Sequence, residues 1–286
     1  MMCALNIFFA IPQRVETLKA SVKTASIILA AGRGSRMKDF DGNKTLLPLV
    51  PGKTHYEGRH PILLQILKSL PHGPKALVVN HQKKAVIEAT QGLHLVYCEQ
   101  AELNGTGGGL LAASSFLERQ DCDHFIITMG DVPFVKDATY RGLVKELRKN
   151  RLVVLGFIPE SKKQYGVLEI EGSQVRKIIE WKYWSKYTQE KKQALTICNA
   201  GIYAARKKDL LRYLMVLASR PHRIQKQIDG ELREVKEYFI TDLVEYMQND
   251  GLPVGFVISE DENEVMGVDD FPALTKAQKI YKTVAV

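Results

Sequence analysis

Short apolar, β-branched runs alternate along the first half of the chain with segments of helical spacing. ASIILA is apolar at nearly every position and predicts a strand buried on both faces. KALVVN, LHLVYC, HFIITMGD and RLVVLGFI predict further strands. Between them, PILLQILKSL, QKKAVIEATQ, GGLLAASSFLERQ and KDATYRGLVKELRKN have helical spacing, with Pro61 suited to a first turn. Such alternation predicts βαβ units and a parallel sheet with helices on both faces. Beyond residue 160 the texture changes. YGVLEIEGSQVRKIIEW predicts a hairpin turning at EGS, TICNAGIYAAR a strand, and KKDLLRYLMVLASR a helix. EYFITDLVEYMQNDG predicts a helix closed by Gly251, LPVGFVIS a strand, and PALTKAQKIYKTV a final helix. The expectation is an α/β fold: a Rossmann-like mixed, mostly parallel sheet flanked by helices. No linker rich in Pro, Gly or Ser divides the chain. Residues 25–286 are therefore expected to form one domain with two lobes, 25–160 and 161–286, the second adding a mixed sheet that faces the first. Residues 1–24 form an N-terminal extension with no role assigned.

Composition narrows the picture. The chain has 286 residues, 45% of them hydrophobic, enough for a sizeable core. Its net charge of +8 suits acidic ligands. The basic residues are scattered, KELRKNR being the densest run, and no aromatic side chains interleave with them, so no nucleic-acid partner is expected. Cys3, Cys98, Cys122 and Cys198 are widely spaced, with neither a zinc-binding pattern nor a disulfide framework, as free thiols of a reducing compartment would be. The apolar start MMCALNIFFAIPQRV lacks a positive leader and is too short to span a bilayer. A cytoplasmic protein without a membrane partner is expected.

Chemistry concentrates at strand ends. After ASIILA comes AGRGSRM, in which Gly32, Gly34 and Arg36 form a turn suited to phosphate. It is not a dinucleotide fingerprint, because Met37 stands where the third glycine must be. Gly52-Lys53-Thr54 is not a P-loop, because Leu47 stands at the first glycine position. Arg36 and Lys44 are cations able to converge on one polyphosphate. In EQAELNGTGGG, Gln100 offers an amide to a base edge, while Gly105 and Thr106 permit close backbone approach. Asp131, just past a buried strand, suits a Mg²⁺ ion, with Asp269 or its neighbour Asp270 as a second carboxylate.

In this order the motifs resemble the sugar-1-phosphate nucleotidyltransferases, above all the uridylyltransferase half of bifunctional N-acetylglucosamine-1-phosphate uridylyltransferases. LAAGRGSRM, NKTLLPLVPGK, EQAELNGTGGG and GDVP are similar to that family's signature, lysine, glutamine and metal segments. YGVLEIEGSQVRKIIE, CNAGIY, YFITD and EVMGVDD are similar to its later segments, and the resemblance spans roughly residues 25–284. It implies that Leu29, Ala30, Ala31, Gly32, Gly34 and Gly130 bind the nucleotide and that Gln100, Gly105 and Thr106 read uracil. It implies Arg36 and Lys44 as catalytic cations, Asp131 and Asp269 as Mg²⁺ ligands, and Gly166, Glu180 and Asn199 as sugar contacts in a sugar-binding second lobe. The implied reaction joins a nucleoside triphosphate to a sugar 1-phosphate and releases pyrophosphate.

The sequence departs from that pattern at four places. Asp269 stands where the relatives carry Asn, Asn43 replaces a usual proline, Gly108 a usual histidine, and Val167 a usual arginine. The chain shows no hexapeptide repeats, so no acetyltransferase activity is expected of it. Two other readings remain open at this point. One is a cytidylyl- or guanylyltransferase acting on another phosphorylated metabolite; the other is a non-catalytic sensor of a nucleotide sugar.

Overall fold

The computed structural model describes residues 23–34, 36–37, 40–228 and 231–284. Residues 1–22 of the expected N-terminal extension lie outside the described residues, and Thr24 already belongs to the first strand. Strand β1 (Thr24–Leu29) leads through a 3-10 turn (Lys44–Leu46) to the hairpin β2 (Pro48–Pro51) and β3 (Gly58–Pro61). There follow α1 (Ile62–Ser69), β4 (Lys75–Val79), α2 (Lys83–Ala89), β5 (Val96–Glu99), α3 (Thr106–Ala112), α4 (Ser114–Arg119), β6 (His124–Met129), α5 (Asp137–Glu146) and β7 (Leu152–Phe157). The second half contributes β8 (Val167–Glu171), β9 (Gln174–Ile179), α6 (Trp181–Trp184), α7 (Gln189–Ala194), β10 (Cys198–Arg206) and α8 (Lys207–Ser219). It ends with β11 (His222–Ile228), β12 (Glu231–Glu237), α9 (Asp242–Asn249), β13 (Val254–Ser259) and α10 (Phe271–Val284).

One nine-stranded sheet organises the chain, ordered β13-β7-β10-β6-β1-β4-β5, with β8 and β9 attached through β10. The predicted mixed, mostly parallel architecture is present. The expectation of a second sheet facing the first is corrected: β7, β10 and β13 extend the same sheet, and β10 lies antiparallel between β6 and β7. Strand β10 serves two neighbourhoods because its register shifts between Asn199 and Tyr203, where Gly201 has a φ of +74°. Its first residues reach β8, while its later residues pair with β6. Positive φ suits glycine because no Cβ collides with the backbone.

Alternate residues of β1 serve opposite faces of the sheet. Ile28 belongs to the apolar cluster that takes in side chains of α1, α2, α5 and α10, and Ala25 and Ile27 belong to the one that takes in side chains of α3, α4, α8 and α9. Burial on both faces is why the strand reads as a continuous apolar run. Local sequence misplaces some boundaries. The predicted helix GGLLAASSFLERQ breaks at Ala113 into α3 and α4. The predicted helix at EYFITD begins only at Asp242, because Tyr238 is drawn into backbone bonds with Asn104 and Gly107. The β11–β12 hairpin, the β2–β3 hairpin and the short helices α6 and α7 have no counterpart among the predicted elements. Cys98, Cys122 and Cys198 are free thiols. Among the described residues no helix is long and apolar enough to cross a membrane.

Strand β1 lies beside β6 in the sheet, and the connection from β1 leads one way, to β4, while that from β6 leads the other way, to β7. A crevice at the carboxyl ends of such strands is the usual ligand site of an α/β sheet. The loop that brings Asp269 to this crevice is anchored by Glu264, which is only 5% exposed. Glu264 accepts hydrogen bonds from the Lys136 N–H at 3.0 Å, from the Ser259 hydroxyl at 3.0 Å and from the Thr139 hydroxyl. Replacing it by alanine strands these donors in a buried place. Glu264→Ala is expected to cost about 3 kcal/mol in urea unfolding, with Glu264→Gln costing less because it keeps an acceptor.

Candidate active site

The end of β1 is fixed on both sides: the Ala30 N–H donates to the Val78 carbonyl at 2.9 Å, and the Gly130 N–H to the Leu29 carbonyl at 2.8 Å. Residues 29–32, at this strand end, line a cavity of about 330 Å³ together with Lys44, Gln100, Gly105, Thr106 and Asp131. Gly34 and Gly130 do not line it. Gly34, at φ +65°, lies beneath the Lys44 stem, where a Cβ would come within 3.2 Å of Lys44 Cδ. Met37 is 4% exposed and its N–H donates to the Gly34 carbonyl, so the residue that breaks the dinucleotide fingerprint is a core side chain closing the turn. Ser35, inside this turn, lies outside the described residues.

Lys44 is the centre of the site. Its ammonium donates to the Asp131 carboxylate and, at 2.7 Å, to Asp269 Oδ1, while Arg36 donates to Asp269 Oδ2 at 3.0 Å. Burial alone would lower the Lys44 pKa, but the Asp131 and Asp269 charges outweigh it and the pKa is raised. Burial likewise opposes the charge on Asp269, but Lys44 and then Arg36 bring its pKa below the ordinary carboxylate value. Asp270 points elsewhere: its carboxylate accepts the Ala273 N–H at 2.9 Å and caps α10. Of the two adjacent aspartates, it is Asp269 that meets Asp131's cation.

Asn43 explains how Lys44 is held. It is 2% exposed; its amide donates to the carbonyls of His81 at 2.8 Å and Ala30 at 3.3 Å. Its Oδ1 accepts from the N–H and hydroxyl of Thr45 at 3.0 and 2.8 Å. One side chain therefore ties the lysine turn to the end of β1.

The opposite wall is stapled to the second half of the chain. Gly105 has a φ of +93°, and a Cβ there would lie 2.3 Å from the Tyr238 carbonyl. That carbonyl accepts the Gly107 N–H at 2.8 Å, the Tyr238 N–H donates to Asn104 at 2.9 Å, and the Ile240 N–H donates to the Thr106 hydroxyl at 3.2 Å. Beside this staple, the Thr241 hydroxyl donates to Glu180 at 3.2 Å. Burial pushes the Glu180 carboxyl above its ordinary pKa, with Thr241 and Lys182 acting against it.

Gly166, Glu180 and Asn199 lie together although they come from three strand ends. The Asn199 N–H donates to the Gly166 carbonyl at 2.8 Å, and a Cβ on Gly166 would stand 3.6 Å from the Glu180 carboxylate. The Asn199 amide is itself engaged by the Tyr203 hydroxyl at 2.8 Å and the Gly201 N–H at 3.0 Å. None of the three lines the first cavity. Glu180 lines a second one, of about 600 Å³, with Lys182, Tyr183, Phe239 and Thr241. Sequence reasoning did not single out Arg33, Thr45, Leu103, Gly109 or Met129, all of which line the first cavity. Arg33 sits inside the glycine motif and could have been marked as a cation there; the others carry no local signal. Among the described residues no group of three or more His, Cys, Asp or Glu side chains gathers as a metal cluster.

Residues 26–214 match the MobA-like NTP transferase domain. The bifunctional protein GlmU of Rhodopseudomonas palustris is 32% identical over 264 residues, covering 90% of this chain and 52% of that protein. GlmU of Novosphingobium aromaticivorans is 30% identical over 260 residues, 89% of this chain and 52% of that one. The chain spans about half the length of these curated relatives. The crystal structure of uridine diphosphate N-acetylglucosamine pyrophosphorylase from Trypanosoma brucei, in complex with inhibitor, superposes with a TM-score of 0.67. It does so at 12% identity, over 90% of this chain and 65% of that one, which is a likeness of fold. The matched span contains the glycine turn, Lys44, the Gln100 loop and Asp131, and the chain belongs to the family of MobA-like NTP transferase domains.

Proposed function

We propose that this protein transfers a uridylyl group from UTP to a sugar 1-phosphate such as N-acetylglucosamine 1-phosphate, releasing pyrophosphate and yielding a nucleotide sugar. The observation that carries the reading is the charge cluster at the cavity: Lys44 between Asp131 and Asp269, with Arg36 on the far oxygen of Asp269. In the reaction, an oxygen of the sugar phosphate forms a bond to the α-phosphorus as the bond from that phosphorus to the β-phosphate's bridging oxygen breaks. The electron pair of that bond leaves with pyrophosphate. The nucleophile is already an anion, so no side chain has to remove a proton.

The protein's task is to bring two anions together and to hold them in line. The main chain of Leu29 to Gly32 is suited to the nucleotide, Lys44 and Arg36 to its phosphates, and Gly166, Glu180 and Asn199 to the sugar. The Asp131 and Asp269 carboxylates already share one cation, and hard oxygen donors of this kind suit Mg²⁺, which takes one or two carboxylates and fills its shell with water and phosphate oxygens. When bound there, the ion would neutralise charge developing on the transferred phosphoryl group. The cavity of about 330 Å³ falls at the small end of ligand sites, in keeping with a nucleotide lying partly in the open crevice. The implied sugar rests on the resemblance of the chain to uridylyltransferases acting on N-acetylglucosamine 1-phosphate.

Pyrophosphate release from UTP, measured with Mg²⁺ and a panel of sugar 1-phosphates, tests the reading. Turnover is expected with at least one pair; folded protein that turns over none would instead be a binding module. Lys44→Ala and Asp131→Asn are each expected to lower kcat on the order of 10²- to 10³-fold. The Asp131→Asn protein should still gain thermal stability from UTP, since the main-chain nucleotide contacts remain.

A further inference from the structure

Asp269 is held on one side by the end of β6: the N–H of its neighbour Val268 donates to the Asp131 carbonyl at 2.9 Å. On its other side the chain enters α10 almost at once, so the placement of that helix is the second anchor of Asp269. Helix α10 packs chiefly on β2 and is tied to the β2–β3 hairpin at several levels. Gln278, only 5% exposed, donates its amide to the carbonyls of Pro48 and His55 at 2.9 and 2.8 Å, and its oxygen accepts from His55 Nδ1 at 2.6 Å. Further along, Tyr281 stacks on His60 with ring centres 4.7 Å apart, and His60 holds a φ of +62°, uncommon for a residue with a side chain.

At the first turn of α10, two residues beyond Asp269, Phe271 meets the loop that joins β2 to β3. Its ring centre lies 5.2 Å from that of His55 and 5.8 Å from that of Tyr56. Tyr56 also stacks on Phe40, at 5.6 Å with the planes 19° apart. Phe40 belongs to the glycine-turn segment: its N–H donates to the Met37 carbonyl at 3.1 Å, and its ring crosses Gly42, where a Cβ would come within 2.4 Å of it. Tyr56 therefore joins the segment that carries Arg36 and Lys44 to the segment that carries Asp269. The Arg36–Asp269 pair spans the same two segments, but both side chains are open to solvent, where such pairs hold weakly. Lys44 is shared between Asp131 and Asp269, so it does not by itself fix where Asp269 stands. Ring pairs at these separations add a preferred geometry to their apolar contact.

We propose that Tyr56, in the loop of the β2–β3 hairpin, is a positioning residue that bridges Phe40 and Phe271 and so sets the Asp269 carboxylate at its place opposite Asp131. The inference rests on the nucleotidyltransferase reading, in which these two carboxylates suit a divalent cation. It adds to that reading a ring latch outside the cavity that acts through Asp269.

Mn²⁺ titrated into the protein with UTP, and followed by electron paramagnetic resonance, reads the carboxylate pair whether or not turnover occurs. Tyr56→Ala is expected to weaken Mn²⁺ binding about tenfold, the size of effect seen when a group that orients a metal ligand is removed. Its kcat in pyrophosphate release with Mg²⁺ should fall about tenfold, with the metal-free UTP affinity, read by thermal shift, within about threefold of wild type. Tyr56→Phe keeps the ring and should match wild type in all three. Phe271→Ala, a change at a half-exposed ring, should reproduce Tyr56→Ala. In an Asp269→Ala background Tyr56→Ala should weaken Mn²⁺ no further, because its effect runs through that carboxylate; a merely structural role would add its cost in both backgrounds. Unchanged Mn²⁺ affinity and kcat in folded Tyr56→Ala or Phe271→Ala, or an undiminished loss in the Asp269→Ala background, overturns the inference. Mn²⁺ binding that responds to Tyr56 without any pyrophosphate release overturns the enzyme reading alone, and a wild-type protein that takes up no Mn²⁺ with UTP overturns both.

Discussion

The Lys44 ammonium and the two carboxylates around it form the constraint on which the rest of the structure turns. Asp131 and Asp269 stand 87 and 225 residues from Lys44 in the chain, and each sits on a different loop. Two carboxylates held this close repel unless a cation lies between them, and at partial burial that repulsion is not screened away. Lys44 supplies the cation, and its raised pKa together with the lowered pKa of Asp269 expresses the mutual stabilisation. Asn43 holds the lysine turn against β1, Glu264 holds the Asp269 loop against α5, and the end of β6 delivers Asp131. The sheet is the frame that lets these anchors act at one point.

A second link joins the two halves of the chain. The segment Tyr238–Ile240 bonds to Asn104, Gly107 and Thr106, and the next residue, Thr241, reaches Glu180. A wall of the first cavity and the Glu180 side of the second are therefore parts of one hydrogen-bonded chain. Gly105 belongs in this link for steric reasons, since a side chain there would strike the Tyr238 carbonyl. Two further residues act in the same terms: Asn43 makes four hydrogen bonds, and Gly108 leaves room for the Asn104 side chain.

Much of this architecture is legible in the amino-acid sequence. The apolar runs of β1, β4, β6 and β7 mark buried strands because burial on both faces leaves no polar alternation. The glycines after β1, the Gln100 loop and Asp131 after β6 mark chemistry because strand ends of an α/β sheet are where ligands bind. What local pattern misses is governed by distant partners. EYFITD has helical spacing, yet Tyr238 stays extended to bond with Asn104 and Gly107. The β11–β12 hairpin pairs only with itself and carries mostly exposed, charged residues, so no strong periodicity announces it.

By itself the sequence determined the class of fold, the order of its first strands and helices, and the residue types able to bind phosphate, base and metal. Those follow from local rules: burial period, glycine torsions and the charge of single side chains. Only the tertiary structure decided that Asp269 rather than Asp270 meets Lys44, that β10 runs antiparallel inside the main sheet, and that the Gln100 amide donates to Asn104 and Gly105. Each of these depends on which donor or acceptor arrives from a remote part of the chain, and no residue's own identity carries that information.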